Sequence, residues 1–150
     1  MQFFDTNVLV YTIDRTEPAK RSVALDLVRG SMREQSLAIS TQVMLEFYAT
    51  VLRRRLAAPE VATGLLQEWS QGTTVSTTPE LLWRAFEVQR RMGFSLWDAT
   101  VIQAALDCGC EVLYTEDLQH GQSIGPLKVV NPFRPVSEVH EPAPPYATVA

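Results

Sequence analysis

Cysteine is scarce and poorly placed for structural work. The chain has two, Cys108 and Cys110, with only Gly109 between them. That spacing strains any mutual disulfide, and a zinc site would need two further soft ligands. Histidine is equally rare, and His120 and His140 are not spaced with the cysteines to supply them. The scarcity points to a reduced, cytoplasmic protein. It also leaves no Ser-His-Asp or Cys-His arrangement for nucleophilic catalysis. A lone loop histidine such as His120 is read as structural or solvent-facing rather than as a proton shuttle. No apolar run approaches the ~20 residues of a membrane span. No basic segment precedes an apolar one at the N-terminus, so no secretory signal is expected. Lysine is nearly missing: of 13 basic residues only Lys20 and Lys128 are Lys. Arginine suits bidentate phosphate contacts, although a GC-rich genome would leave the same bias.

What remains is an ordinary globular composition. At 150 residues and 46% hydrophobic, the chain is expected to form one domain with a real core. Residues 1–134 carry alternating patterns. Short apolar runs at 2–4, 36–40, 73–77, 111–115 and 127–130 read as strands. Between them lie helical patterns at 18–34, 41–55, 59–71, 79–93 and 95–108, three of them opened by Pro18, Pro59 and Pro79. Alternation of this kind predicts an α/β sandwich with a mostly parallel sheet. The segment 135–150 is rich in proline and lacks periodicity, so it is expected to be a tail without secondary structure.

Four acids each close or follow an apolar stretch: Asp5 in FFDTNVLV, Glu46 in STQVMLEF, Asp98 in FSLWDATVIQAA and Asp117 in VLYTEDLQHG. A carboxylate in such a setting is costly to desolvate unless a cation compensates it. In parallel sheets, sites lie beyond the carboxyl ends of the strands, where Asp5 and Asp117 fall directly. Asp98 opens a helix that runs through one glycine into the fourth strand, so the two are antiparallel. A 14-residue helix spans ~21 Å and a five-residue strand ~17 Å, which puts Asp98 beside Asp117. Each acid also has a bland reading. Asp5 could cap the first helix-like segment, and Glu46 could pair with Arg53 or Arg54 on its own helix. Asp98 could complete a capping box with Ser95, and Asp117 could be a plain turn residue. Four independent caps, however, have no reason to converge at one sheet edge. The net charge is −4, which these four acids alone account for, so with a bound cation the remaining surface is neutral.

The joint pattern resembles the PIN-domain family, and within it the VapC-like toxin ribonucleases. DTNVL at Asp5–Leu9, the helical acid in STQVMLEF, SLWDATV around Asp98 and LYTEDLQHG at Leu113–Gly121 carry the resemblance, with VVNPF at Val129–Phe133 also similar. It implies a three-layer α/β/α fold with a five-stranded, mostly parallel sheet, and RNA cleavage dependent on Mg²⁺ or Mn²⁺. It implies that Asp5, Glu46, Asp98 and Asp117 bind the metal and that Thr6, Asn7 and Thr115 orient them. Glu116 is left between a second-metal contact and a water-facing residue. Arg53, two turns beyond Glu46, could hold an RNA phosphate or be a solvated arginine. A small antitoxin protein and a homodimer are the partners the resemblance implies. Two other readings stand beside it. One is a non-catalytic PIN-like module that binds RNA or protein. The other is a haloacid-dehalogenase-like phosphatase, which would want a second Asp where this chain has Asn7.

Overall fold

The computed structural model describes residues 1–134; the proline-rich segment 135–150, expected to be an unstructured tail, lies outside the described residues. Twelve elements follow in order. They are β1 Gln2–Phe4, α1 Thr6–Tyr11, α2 Pro18–Arg33, β2 Leu37–Ser40, α3 Thr41–Arg54, α4 Pro59–Trp69, β3 Thr73–Val75, α5 Pro79–Met92, α6 Leu96–Asp107, β4 Val112–Tyr114, β5 Ser123–Ile124 and β6 Leu127–Val130. The strands form one sheet in the order β3-β2-β1-β4-β6-β5. Every pairing is parallel except β5 with β6. Among the described residues no helix is long and apolar enough to cross a membrane.

Local chemistry explains most boundaries. Pro18, Pro59 and Pro79 take the first helical positions of α2, α4 and α5, where a missing N–H costs nothing. Ser40, Thr78 and Ser95 cap α3, α5 and α6, each accepting a backbone N–H three residues on. Gly93 ends α5 at φ 76, a left-handed conformation that a Cβ would disfavour. The sheet has six strands where five were expected. The extra one, β5, is two residues flanked by Gly121 and by Gly125-Pro126, so in sequence it is indistinguishable from a turn. The residues after Asp5 form a full helix, α1, and not merely a capped turn.

Helices α1–α4 pack on one another, while α5 packs on α6. Phe3, Phe4, Leu37, Ile39, Leu113 and Val129 of the strands are wholly or almost wholly buried. Helix α6 is unusual in being buried from Ala99 through Ala105 without a break. A helix buried on every face, Thr100 and Gln103 included, sits inside the fold. Its first turn is therefore a fixed point, and Asp98 stands on it.

The strand order places a topological switch between β1 and β4. From β1 the chain moves outward through β2 to β3, then returns to the other side of β1 for β4. Crevices beyond the carboxyl ends of strands at such a switch are where open α/β sheets bind ligands. Phe4 is in register with Tyr114, so the next residues, Asp5 and Thr115, leave the sheet side by side.

Candidate metal centre

Asp5 is 6% exposed, and both its oxygens are engaged. Oδ1 accepts the Thr6 N–H at 2.8 Å and Oδ2 accepts the Thr115 hydroxyl at 2.8 Å. Burial nevertheless pushes its pKa up to about 7. The two hydrogen bonds oppose that shift, and the charges of Asp117 and Glu46 add to it. Thr115 is the hub. Its one hydroxyl proton goes to Asp5, and its lone pairs accept the Asp117 N–H at 3.1 Å and Asn7 Nδ2 at 3.3 Å. A hydroxyl can do no more than this. Asn7 Nδ2 also reaches Asp117 Oδ2 at 2.9 Å, and Asn7 Oδ1 accepts the Glu116 N–H at 3.4 Å.

Asp98 arrives from the opposite direction, on the first turn of α6. A helix N-terminus favours a carboxylate by about 0.3–1 kcal/mol. Burial outweighs that here: the Asp98 pKa is raised, chiefly by desolvation, with Asp117 and Glu46 contributing and the Ser95 hydrogen bond opposing. One carboxylate oxygen from each of Asp5, Asp98 and Asp117 lies within 4.8 Å of the others, a cluster that could hold a metal ion.

Glu46 lines the same cavity, of about 610 Å³, without joining that triplet. Its Oε2 accepts the Thr6 hydroxyl at 3.0 Å and its Oε1 accepts Gln42 Nε2 at 2.9 Å. The helical ion pair with Arg53 or Arg54 does not form: Arg54 instead bonds the buried Asp14 at 2.7 Å. Arg53 is exposed and is not among the residues lining the cavity.

Glu116 is not drawn into the cluster either. Its Oε1 accepts the Tyr11 hydroxyl at 2.5 Å and its Oε2 accepts Lys20 Nζ at 3.0 Å. Lys20 also lies 4.7 Å from the Tyr11 ring centroid and 5.6 Å from that of Phe133, within cation–π range. Glu116→Gln should therefore remove a partly exposed ion pair, costing about 1 kcal/mol or less. Binding of a divalent cation by the Asp5, Asp98 and Asp117 cluster should stay within a few-fold of wild type. Urea unfolding beside a Mn²⁺ titration checks both; loss of cation binding without loss of stability would put Glu116 at the metal. His120, also considered for catalysis, accepts the Asn131 N–H at 3.0 Å and so braces the loop before Phe133.

Gln42, Leu45 and Trp97 are among the cavity-lining residues that escape a reading of the sequence. Gln42 had a signal, since it sits four residues before Glu46 on one helix, the spacing at which side chains meet. Its Nε2 also reaches the Trp97 carbonyl at 3.2 Å, tying α3 to the turn before Asp98. Leu45 and Trp97 had none, because an apolar residue in an amphipathic helix reads as core.

The donor set suits a hard divalent cation, which prefers carboxylate oxygens. Without one, clustered carboxylates repel, in keeping with the raised pKa values of Asp5 and Asp98.

Known proteins share this architecture. VapC20 of Mycobacterium tuberculosis, a toxin that cleaves the sarcin-ricin loop, superposes with a TM-score of 0.63 at 19% identity, covering 75% of this chain and 87% of that one. A toxin–antitoxin complex from Klebsiella pneumoniae gives 0.65 at 18% identity, covering 89% and 98%. VapBC2 of Rickettsia felis, bound to a promoter DNA fragment, gives 0.59 at 16% identity, covering 85% and 96%. No curated protein matches the sequence significantly. The family model of the PIN domain matches residues 3–122, a span that holds β4, all of β1 but Gln2, and all four candidate acids, and the chain belongs to the PIN domain family.

Proposed function

We propose that this protein is a ribonuclease that hydrolyses RNA phosphodiester bonds with Mg²⁺ or Mn²⁺, and that it is the toxin of a type II toxin–antitoxin pair. The observation that carries the reading is the convergence of Asp5, Asp98 and Asp117, from three distant stretches of chain, at the switch point of the sheet. Asp5, Asp98 and Asp117 would hold the cation, with Glu46 as the fourth carboxylate of the same lining. Such a cation, when bound, polarises the scissile phosphoryl group and lowers the pKa of an attacking water. The chain's own task is to keep the carboxylates aimed. Thr115 and Thr6 fix Asp5, Asn7 fixes Asp117, and Thr6 with Gln42 fixes Glu46. Because burial raises the Asp5 pKa to about 7, cation binding would be coupled to proton loss from Asp5 below neutral pH.

The non-catalytic alternative is disfavoured by Asp5. A nearly buried carboxylate with a pKa near 7 opposes folding at neutral pH. Groups strained in this way cluster at functional sites. The phosphatase alternative is set aside by membership of the PIN family and by Asn7, whose amide is committed to Asp117 and Thr115.

The neighbours solved as toxin–antitoxin complexes support an antitoxin as partner. A second copy of the chain is the other partner this reading implies. Exposed apolar surface for a protein partner exists on α5, where Trp83 is 65% exposed and meets Phe86 edge-on. Two free thiols, Cys108 and Cys110, suit the cytoplasm, where such a toxin would act.

Sequencing of RNA 5′ ends after inducing wild-type protein or Asp5→Asn tests the proposal. Discrete new ends should arise with wild type alone. Identical end profiles from the two would refute it.

A further inference from the structure

The cavity has a chemical gap. Its floor is carboxylate, and none of the described residues lining it is Lys or Arg. Four carboxylates with one divalent cation still carry negative charge, so an RNA phosphate gains little from the field of the site. Apart from a bound cation, the lining offers no cationic side chain for phosphate contacts, the usual source of nucleic-acid affinity. Contacts to the bases are the other means of holding the substrate there.

The same lining offers two exposed apolar side chains. Leu45 on α3 is 72% exposed and Trp97 on α6 is 67% exposed. Each directly precedes a candidate acid, Glu46 and Asp98, and consecutive Cα atoms are about 3.8 Å apart. The backbone at Trp97 is held in place. Its carbonyl accepts Gln42 Nε2 at 3.2 Å, and Ser95 caps the helix it opens. An indole on a pinned backbone has only two side-chain torsions left to freeze. Exposing so large a ring beside the half-buried Asp98 contributes nothing to folding.

We propose that Trp97 is the base-binding residue of the cleft: its indole stacks on a nucleobase next to the scissile phosphate of single-stranded RNA, with Leu45 as the facing apolar wall. The inference rests on the ribonuclease reading and adds what holds the substrate. Every base has a π-face, so stacking supplies affinity without fixing sequence. It also requires an unpaired base, which directs the enzyme to loops and single strands, where bases can be splayed onto aromatic side chains.

The test separates binding from cleavage. Asp5→Asn serves as an inert background, and binding of a short fluorescein-labelled single-stranded RNA is followed by anisotropy. Adding Trp97→Ala should weaken binding roughly 5- to 150-fold, the range for loss of one aromatic–base stack. Trp97→Phe should keep most of the affinity, and Trp97→Leu should resemble the alanine variant. Elution volume on size exclusion should be the same for all four proteins. Equal affinity for Ala and parent overturns the proposal, as does full rescue by Leu or no binding by the parent. A change in oligomeric state with Trp97→Ala also overturns it, because the ring would then be a protein contact. Wild-type protein that fails to cleave RNA, while the Asp5→Asn variants bind it in a Trp97-dependent way, would refute the nuclease reading and leave the stacking site standing.

Discussion

Asp98→Asn is expected to lower RNA cleavage by about 10³-fold or more while the protein stays folded. The substitution keeps the shape of the side chain and removes its charge. Asp98 stands on the first turn of a helix buried from Ala99 to Ala105, so the backbone beneath it will not move to compensate. A cation deprived of one of three converging carboxylates loses several kcal/mol of charge stabilisation in the transition state, and each 1.36 kcal/mol is about tenfold in rate. Stability should not fall. The folded state already disfavours the Asp98 charge, because burial raises its pKa. Initial rates on a labelled RNA in Mn²⁺, beside thermal melting, measure both. Cleavage at the wild-type rate would remove Asp98 from the site.

The second large effect is on stability, and pH controls it. Asp5 titrates at 3.8 in a model compound and at about 7 in the fold. Between those values the folded state binds a proton that the unfolded chain has released. Cation-free protein therefore loses stability as pH rises from about 4 to about 7. At about 1.4 kcal/mol for each unit, the loss is of the order of 4 kcal/mol. The raised pKa of Asp98 acts in the same direction. Divalent cation reverses the penalty, since it binds the folded, deprotonated cluster and not the unfolded chain; at 100 times Kd it is worth ~2.7 kcal/mol. Mn²⁺ should thus raise the melting temperature clearly near pH 8 and weakly near pH 5. Asp5→Asn should melt above wild type near pH 8 without cation and should lose the Mn²⁺ response. A melting curve indifferent to millimolar Mn²⁺ at high pH would count against a carboxylate metal site.

The parts of this site that rest on local rules were legible in the sequence. Pro18, Pro59 and Pro79 mark helix starts because a helix's first position needs no N–H. The short link around Gly109 between α6 and β4, with the expected lengths of the two elements, brings Asp98 towards Asp117. Contacts between distant segments were not legible. Thr6 and Glu46 are 40 positions apart, and Tyr11 and Glu116 are 105 apart. Such pairs are decided by how helices lie across the sheet, which no local pattern records. The same blindness left a pair with Arg53 or Arg54 on its own helix open as the bland alternative for Glu46, and left Glu116 between a metal and water when Lys20 and Tyr11 hold it. Strand β5 went unseen because two residues between glycines carry no alternation to read.

Cleavage of a labelled single-stranded RNA should be followed with EDTA-treated protein, before and after Mn²⁺ is restored. A cation-dependent site gives no cleavage above the Asp98→Asn background in EDTA, and full recovery when Mn²⁺ is added. Cleavage that persists in EDTA rules out the metal centre, because the three carboxylates would then have no cation to hold.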